Sequence, residues 1–282
     1  MKAAKLDTGI QPTWCPGCPN FMILESVKKT LAKLISENPK EYKQEDFAMA
    51  VGIGCHAKIF DYLNLSGVYG LHGRVIPTCF GMKLGNPNLH VIGFAGDGDT
   101  YAEGMSHFIH AGRYNSNFTL VVHNNQTFAL TTGQATPTSQ EGFKTKAQVM
   151  GVLDIPVNPI KLALASGTTF IARCNALDIQ HTSEFLEKAI KHKGFSFVEI
   201  IQPCLQFNID MNQITKFTYK IPDNSDKQKA EKLADEWDYN SKKGKIPIGV
   251  IYQDKTQKSF EEEWPQLAEL MKSGRGWKLA RK

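Results

Sequence analysis

The sequence contains acidic and amide side chains whose spacing suits the binding of a divalent cation with a phosphate. Asp97 lies in the segment GDGD, residues 96–99, which directly follows an apolar run at residues 89–95. Asn125 follows 28 residues after Asp97, at the end of a second apolar run at residues 118–123. Mg²⁺ in proteins is commonly held by one or two protein oxygens together with phosphate oxygens. Asp97 and Asn125 are therefore candidate ligands of a Mg²⁺–phosphate complex.

The two glycines of GDGD point to the same chemistry. Glycine allows the backbone to approach a ligand closely, and a helix that begins after the turn presents free N–H groups to an anion. Thr100 and Glu103 fit the Thr-x-x-Glu pattern of a capping box, which predicts that a helix begins here. The alternative is a glycine-rich turn in which Asp97 caps a helix and Asn125 ends a strand, since short glycine motifs also occur by chance.

Four of the six cysteines occupy positions that suit metal binding. Cys15 and Cys18 form a C-x-x-C knuckle in the segment WCPGC, and Cys55 and Cys204 each follow an apolar run. Four thiolates can hold a tetrahedral zinc ion or an iron–sulfur cluster. Zinc sites usually pair two knuckles, so one knuckle with two distant single cysteines favours a cluster. Burial of Cys55 and Cys204 as apolar core residues is the remaining alternative.

Short apolar runs alternate along the chain with segments of helical periodicity. The runs are rich in β-branched and aromatic residues and are apolar on both faces, as expected for strands buried within a sheet. We predict strands at residues 47–53, 89–95, 118–123, 168–172, 195–201 and 246–252. We predict helices at residues 21–36, 102–114, 159–165, 183–192, 225–245 and 260–272.

This alternation predicts crossover connections, and therefore an α/β fold with a mostly parallel sheet flanked by helices on both faces. Ligands bind such sheets at the carboxyl ends of the strands, where the candidate residues lie. Residues 131–146 form a loop long enough to be functional. We predict a single domain over residues 1–282, with an N-terminal cluster-binding segment and a C-terminal helical extension from about residue 209 to 282.

Composition restricts the class of protein. No window reaches the ~18 apolar residues that a spanning helix needs, and the N-terminus has no apolar stretch of a signal peptide. A net charge of +5 is too small to indicate nucleic-acid binding without a clustered patch. We therefore expect a cytoplasmic protein that binds neither membrane nor nucleic acid. Cytosolic thiols stay reduced, which favours metal ligation over disulfides.

The motifs also occur together in a particular order. They are WCPGC (14–18), GIGC (52–55), LHGR (71–74), KLGNP (83–87), GDGD (96–99), HNNQTFALTTGQATPTS (123–139) and QPCLQFN (202–208). This series resembles the β subunits of 2-oxoacid:ferredoxin oxidoreductases, which bind thiamine diphosphate. The resemblance is dense over residues 14–139 and 198–208 and thin over residues 140–195. Phe128 and Ala129 stand where the family usually has Tyr-Gly, a departure that could reshape the substrate pocket.

The resemblance implies a thiamine diphosphate-binding fold and specific ligands. Mg²⁺ would be held by Asp97, Asn125 and the carbonyl of Thr127, and one 4Fe–4S cluster by Cys15, Cys18, Cys55 and Cys204. The resemblance also implies cofactor contacts at Lys58, His72, Gly96, Gly98, Asp99, Asn125, Leu130 and Thr131. His72 and Arg74 would lie near the reacting centre, although each could equally be a structural donor. Cys79 and Cys174 match no ligand position and are expected in the core, and the role of His107 is open.

The implied function is the oxidative decarboxylation of a 2-oxoacid of the 2-oxoglutarate or pyruvate type. Coenzyme A would accept the acyl group as CO₂ leaves, and electrons would pass through the cluster to ferredoxin. Thiamine enzymes place a glutamate against the pyrimidine ring; none is identifiable here, so we expect it on a partner α subunit. The basic C-terminal residues 275–282 could guide an acidic ferredoxin, although charge runs are more often solvated surface.

Two alternatives stay open at this point. One is a subunit of another thiamine diphosphate decarboxylase or synthase, which needs no cluster. The other is a structural zinc-binding subunit without chemistry of its own.

Overall fold

The structure, a computed structural model, describes residues 5–241 and 244–274. Its strands are β1 Phe47–Val51, β2 Ser66–Tyr69, β3 His90–Gly96, β4 Phe118–Asn124, β5 Phe170–Asn175, β6 Ser196–Ile201, β7 Thr218–Lys220 and β8 Ile246–Gln253. They form one eight-stranded sheet in the order β2-β1-β3-β4-β6-β5-β8-β7. All neighbouring strands run parallel except β5 and β8, which are antiparallel.

Helices cover both faces of this sheet. They are α1 Asn20–Glu37, α2 Ile59–Tyr62, α3 Val75–Gly85, α4 Met105–Tyr114, α5 Pro159–Ser166, α6 Ile179–Lys191, α7 Met211–Ile214, α8 Lys227–Asp235, α9 Phe260–Glu263 and α10 Pro265–Ser273. Helices α1 and α6 pack in the apolar cluster of one face, and α3, α4, α5 and α8 pack in that of the other.

The central strands supply side chains to both clusters. In β3, Ile92 and Phe94 join the cluster with α1 and α6, whereas Val91 and Ala95 join the cluster on the opposite face. This alternation follows from the two-residue period of a strand. It explains why the central strands appear in the sequence as continuous apolar runs. The predicted α/β class, with a mostly parallel sheet and helices on both faces, is confirmed.

Two elements at one side of the sheet were not predicted. Strand β2 is exposed along its whole length and therefore has no apolar pattern. Helix α3 contains Pro77 in its first turn, and Gly81 and Gly85 further along, which lower its helix propensity. The predicted helix at residues 260–272 is divided before Pro265, because the residue before a proline disfavours helical backbone angles.

The C-terminal segment contributes more than helices. Strands β7 and β8 both come from beyond residue 209 and join the same sheet as β1–β6. The predicted helix at residues 225–245 ends at Asp235. The assignment of residues 1–282 to one domain stays a prediction, and the basic residues 275–282 lie outside the described residues. Within the described ranges, no helix has the length and apolar content required to cross a membrane.

Candidate functional site

Four parallel strands deliver the candidate residues to one edge of the sheet. Strands β1, β3, β4 and β6 lie side by side, so their carboxyl ends meet. Cys55 follows β1, Asp97 follows β3, Asn125 follows β4 and Cys204 follows β6. The fold thus brings the candidate carboxylate, amide and thiol groups to the same edge.

Asp97 is held in place by two threonines of the loop after β4. Its Oδ2 accepts hydrogen bonds from Oγ1 of Thr136 at 2.6 Å and from Oγ1 of Thr138 at 2.8 Å. Oγ1 of Thr138 also lies 3.1 Å from Oδ1 of Asn124. Asp97 is only 2% exposed, and this burial raises the pKa of its carboxyl to about 6. A nearby cation would counter this effect by favouring the charged carboxylate.

Asn125 and Thr127 bring further oxygens to the same place. Gln126, between them, has a φ of 55°, so the chain turns sharply at this point. The Gln126 side chain fixes the turn, because its Nε2 donates to the carbonyls of Thr138 at 2.6 Å and Tyr239 at 2.9 Å. Oδ1 of Asn125 accepts from the backbone N–H of Thr127 at 3.1 Å. Such oxygen donors suit a hard cation such as Mg²⁺.

Asp99 lies behind this turn in a group of histidines. Its Oδ1 accepts from the backbone N–H of Gly73 at 2.6 Å. Nε2 of His56 and Nδ1 of His72 each lie 3.3 Å from a carboxylate oxygen of Asp99. Asp99 is 2% exposed and His56 is 5% exposed. Asp99 therefore anchors the backbone at Gly73 and lies within ion-pair distance of both imidazoles.

The predicted helix start at Thr100 is wrong. Residues 99–103 form a π-helical turn, and α4 begins only at Met105, after Gly104. No capping box forms, and Oγ1 of Thr100 is buried without a hydrogen-bond partner among the described residues. The insertion widens the turn after GDGD, as π-bulges often do at functional sites.

A cavity, here called the rim cavity, lies at these strand ends. Of the predicted site residues, it is lined by Cys55, His72, Gly96, Asp97, Gly98, Asp99, Asn125, Thr127, Leu130 and Thr131. A Cβ on Gly98 would lie 2.2 Å from Cε1 of Phe128, so Phe128 closes directly over this glycine. The enclosed volume is about 40 Å³. Because ligand pockets commonly measure ~300–1,000 Å³, a larger ligand would project beyond this wall.

Lys58 and Arg74 do not line the rim cavity. Nζ of Lys58 donates to Oγ1 of Thr13 at 3.2 Å, at the edge of the cysteines. Nη1 of Arg74 donates to the carbonyl of Glu103 and lies 3.4 Å from Nε2 of His107. The predicted contacts of Lys58 and Arg74 with a cofactor stay predictions.

The four candidate cysteines meet in a second cavity of about 200 Å³, here called the cysteine cavity. Cys15, Cys18, Cys55 and Cys204 all line it. The knuckle closes through a hydrogen bond from the backbone N–H of Cys18 to the carbonyl of Cys15 at 3.0 Å. Nε1 of Trp14 donates to the carbonyl of Cys55 at 2.7 Å and ties the two segments together.

The four thiols of the cysteine cavity have different surroundings from the thiols of Cys79 and Cys174. Burial raises the pKa of Cys55 to about 11, and the neighbouring cysteines contribute in the same direction. Cys79 and Cys174 are fully buried in the apolar clusters on opposite faces of the sheet. Neighbouring thiols disfavour one another's deprotonated, negatively charged forms. A positive metal centre bound among them would offset this repulsion.

The spacing of the thiols bears on which metal centre they fit. Ligands of one zinc ion lie close together, since each Zn–S bond is about 2.3 Å long. Within the described ranges, no three His, Cys, Asp or Glu side chains are grouped closely enough to hold a single ion. A cubane iron–sulfur cluster is the other centre that four thiolates can hold.

The two cavities share a wall. Asn20, Cys55, Asn125, Ala129, Leu130 and Gln202 line both of them. His123 stands beside this wall: it is 3% exposed, and burial, reinforced by His56, lowers its pKa to about 3. Its Nδ1 lies 2.9 Å from Oδ1 of Asn20 and 3.2 Å from Oε1 of Gln202. A redox centre among the cysteines would therefore adjoin a ligand in the rim cavity.

Sequence reasoning assigned no role to several residues of this site. Thr136 and Thr138 lie in the long loop, and the density of hydroxyl side chains in ATPTS was the available signal. Asn20 and Gln202 each lie two residues from a cysteine, within motifs that pointed only to the thiols. Their contacts depend on how distant segments meet, which spacing alone does not reveal.

Comparison with known families gives two matches. Residues 52–200 match the model described as thiamine pyrophosphate enzyme, C-terminal TPP binding domain. Residues 211–269 match the model for the C-terminal part of the pyruvate ferredoxin oxidoreductase beta chain. The two models together cover β2–β5, nearly all of β6, and β7 and β8, and the first match begins directly after β1.

Individual relatives agree with these matches. The 2-oxoacid:ferredoxin oxidoreductase subunit beta of Saccharolobus solfataricus is 38% identical over 88% of this chain and 84% of its own length. The 2-oxoglutarate synthase subunit KorB of Methanocaldococcus jannaschii is 31% identical over 92% of this chain and 94% of its own length. A solved 2-oxoglutarate:ferredoxin oxidoreductase from Magnetococcus marinus, with 2-oxoglutarate, coenzyme A and succinyl-CoA bound, superposes with a TM-score of 0.84 at 29% identity. That superposition covers 98% of this chain and 91% of the matched chain.

Proposed function

This chain belongs to the family of 2-oxoacid:ferredoxin oxidoreductase β subunits, and on that basis we propose that its two adjoining cavities hold Mg²⁺–thiamine diphosphate and a 4Fe–4S cluster. The shared wall is the observation that carries the proposal, because cofactor oxidation requires an electron acceptor nearby. The substrates would be a 2-oxoacid and coenzyme A, and the final acceptor a ferredoxin.

The rim cavity fits the diphosphate end of the cofactor. Asp97, Asn125 and the carbonyl of Thr127 would ligate Mg²⁺, which neutralises the phosphates beside a buried carboxylate. Gly96 and Gly98 leave room for the backbone to approach, while Leu130 and Thr131 extend the wall. Thiamine diphosphate, when bound, supplies the stabilisation of negative charge that decarboxylation requires.

His72 is the candidate substrate contact in this cavity. Its Nδ1 lies 3.3 Å from Oδ1 of Asp99, and its ring lies 6.0 Å from that of Phe128 in an edge-on arrangement. A donor at this position could bind the carboxylate of a 2-oxoacid. Lys58 and Arg74, at the border of the site, would contribute positive charge toward anionic substrates such as coenzyme A.

The chain supplies only part of an active site. The rim cavity encloses about 40 Å³, so most of a bound cofactor would project beyond it. The glutamate expected against the pyrimidine ring has no candidate in the rim wall, where the carboxylates are Asp97 and Asp99. We propose that the projecting part is covered by an α subunit, which also supplies that glutamate. The cytoplasmic location expected from the sequence stays a prediction.

Iron and sulfide analysis of variant complexes tests the cluster. Cys204→Ala should lose or convert the cluster, because it removes one of four thiol ligands. Cys174→Ala is the matched control, since that thiol is buried in an apolar cluster away from the cysteine cavity. Full iron and sulfide content in Cys204→Ala would show that the fourth ligand lies elsewhere. About one zinc and no sulfide in the anaerobically purified wild-type protein would support the structural zinc alternative.

A further inference from the structure

We propose that Asn20 and Gln202 form an amide clamp on the sulfur of Cys18, oriented by His123, and that this clamp raises the reduction potential of the cluster. The inference rests on the proposed function in one respect, since it takes Cys18 to be a cluster ligand. The residues of the clamp are not ligands themselves and act through Cys18.

The clamp is visible in the contacts around Cys18. Nδ2 of Asn20 lies 3.5 Å from Sγ of Cys18, and Nε2 of Gln202 lies 3.9 Å from the same sulfur. Asn20 is 1% exposed and Gln202 is 2% exposed. Two buried amides from distant parts of the chain thus converge on one sulfur.

His123 determines which way the amides face. Its Nδ1 contacts the side-chain oxygens of both Asn20 and Gln202. A thiolate ligand can only accept hydrogen bonds, so both amide nitrogens must face Cys18 and both oxygens must face His123. Nδ1 of His123 must then carry the hydrogen. Its Nε2 is left as an acceptor, buried and without a partner among the described residues, at the wall of the rim cavity.

The electrostatic consequence follows from the charge of the cluster. Reduction adds a negative charge, which delocalises onto the ligand sulfurs. N–H dipoles aimed at a sulfur stabilise the reduced state more than the oxidised state, so the potential rises. Because both amide side chains are buried, their dipoles act in a lower dielectric than that of bulk water.

Redox titration of the intact complex, followed by EPR, tests the clamp. Asn20→Leu and Gln202→Met each remove a donor while keeping approximate side-chain size. Each variant should shift the cluster potential to a more negative value, and the double variant should shift it furthest. Thr30→Val is the matched control: Thr30 lies on the same helix, is 1% exposed and bonds the carbonyls of Ser26 and Ser183 rather than a sulfur. Its potential should equal that of the wild type.

A wild-type measurement keeps the test independent of variant folding. Pulsed EPR of the reduced complex, labelled with ¹⁵N in Asn and Gln side chains, should show hyperfine coupling from the amide nitrogens near Cys18. Absence of this coupling, or unchanged potentials in both single variants, would overturn the clamp. Absence of iron and sulfide from the wild-type protein would instead overturn the proposed cluster, so the two failures are distinguishable.

Discussion

At the residue scale, hydroxyl groups decide how Asp97 is presented to the rim cavity. Thr136 and Thr138 both donate to its Oδ2, and Thr138 also contacts Asn124 on the neighbouring strand. These contacts hold the carboxylate at a fixed position at the strand end. Partners of metal ligands commonly contribute to affinity because they orient the ligand before the metal binds.

Replacing Thr138 with Val should therefore weaken Mg²⁺-dependent binding of thiamine diphosphate by about 10–100-fold. Asp97→Ala, which removes the proposed ligand itself, should abolish that binding and leave the cluster absorbance intact. Isothermal titration calorimetry on the complex measures both effects. Thr182→Val is the control, because this threonine is equally buried but donates to the carbonyl of Asn175, away from the cavity. Wild-type affinity in Thr138→Val would mean that the hydroxyl does not orient Asp97.

Residue patterns indicated the candidate ligands but not the groups that hold them in position. The types and spacing of Asp97, Asn125, Cys55 and Cys204 were sufficient to place them at one edge of a sheet, whereas the position of Cys15 and Cys18 beside them was expected only from the family resemblance. Thr138, Asn20 and His123 act through contacts between segments far apart in sequence, such as the 103 residues that separate Asn20 from His123. Such contacts depend on tertiary packing, which no local pattern encodes.

At the scale of elements, the centre of the sheet is joined by a buried charged network. Nε of Arg173 on β5 donates to Oε2 of Glu199 on β6 at 2.8 Å, and both side chains are fully buried. The hydroxyl of Tyr239 bonds both of them, and Nδ2 of Asn124 donates to Oε1 of Glu199. The network ties the C-terminal segment to the strand that ends in Asn124, beside the rim cavity.

Arg173→Met should lower the free energy of unfolding by about 3–5 kcal/mol, because it leaves the Glu199 carboxylate buried without its cation. Urea unfolding of the protein measures the loss. Lys188→Met is the comparison, since the Lys188–Asp223 pair is partly solvated, and it should cost at most about 1 kcal/mol. Equal losses of unfolding free energy in the two variants would show that burial does not increase the cost of breaking the Arg173–Glu199 pair.

The central strands could be predicted from the sequence to within a few residues because both of their faces are apolar. The peripheral elements could not. Strand β2 is fully exposed, and α3 carries proline and glycines that argue against a helix. The start of α4 was also misplaced, since the π-helical turn at residues 99–103 satisfies the same Thr-x-x-Glu pattern without forming a cap. Local patterns therefore identified the core and failed where tertiary contacts override propensity.

At the scale of the whole molecule, the chain presents a cofactor site that is open on one side. The end that carries the proposed metal ligands is buried, as Asp97, Asn125 and Thr127 are each less than 9% exposed, whereas Leu130 in the same wall is 44% exposed. The buried end carries the proposed ligands, and the open side is where the proposed α subunit would cover the cofactor.

The purified β chain should therefore release no CO₂ from any 2-oxoacid until an α subunit is added. It should still bind Mg²⁺ and hold thiamine diphosphate weakly, because the proposed metal ligands are its own. CO₂ release and ferredoxin reduction, assayed with and without the partner, distinguish the two states. Turnover by the isolated chain at the rate of the complex would show that the activating glutamate lies in this sequence.

The wall shared by the two cavities also restricts how such a chain can diversify. A substitution at Leu130 or Ala129 that reshapes the space for a substrate also alters the surroundings of the cysteines, since both residues line both cavities. New substrate preferences that arise by point substitution here would carry a change in electron transfer with them. Phe128 and Thr131 line the rim cavity but not the cysteine cavity. Substitutions at these two residues can therefore reshape the rim cavity without altering the surroundings of the cysteines. Related proteins with different substrate preferences should accordingly differ at positions that line only the rim cavity and on the partner subunit.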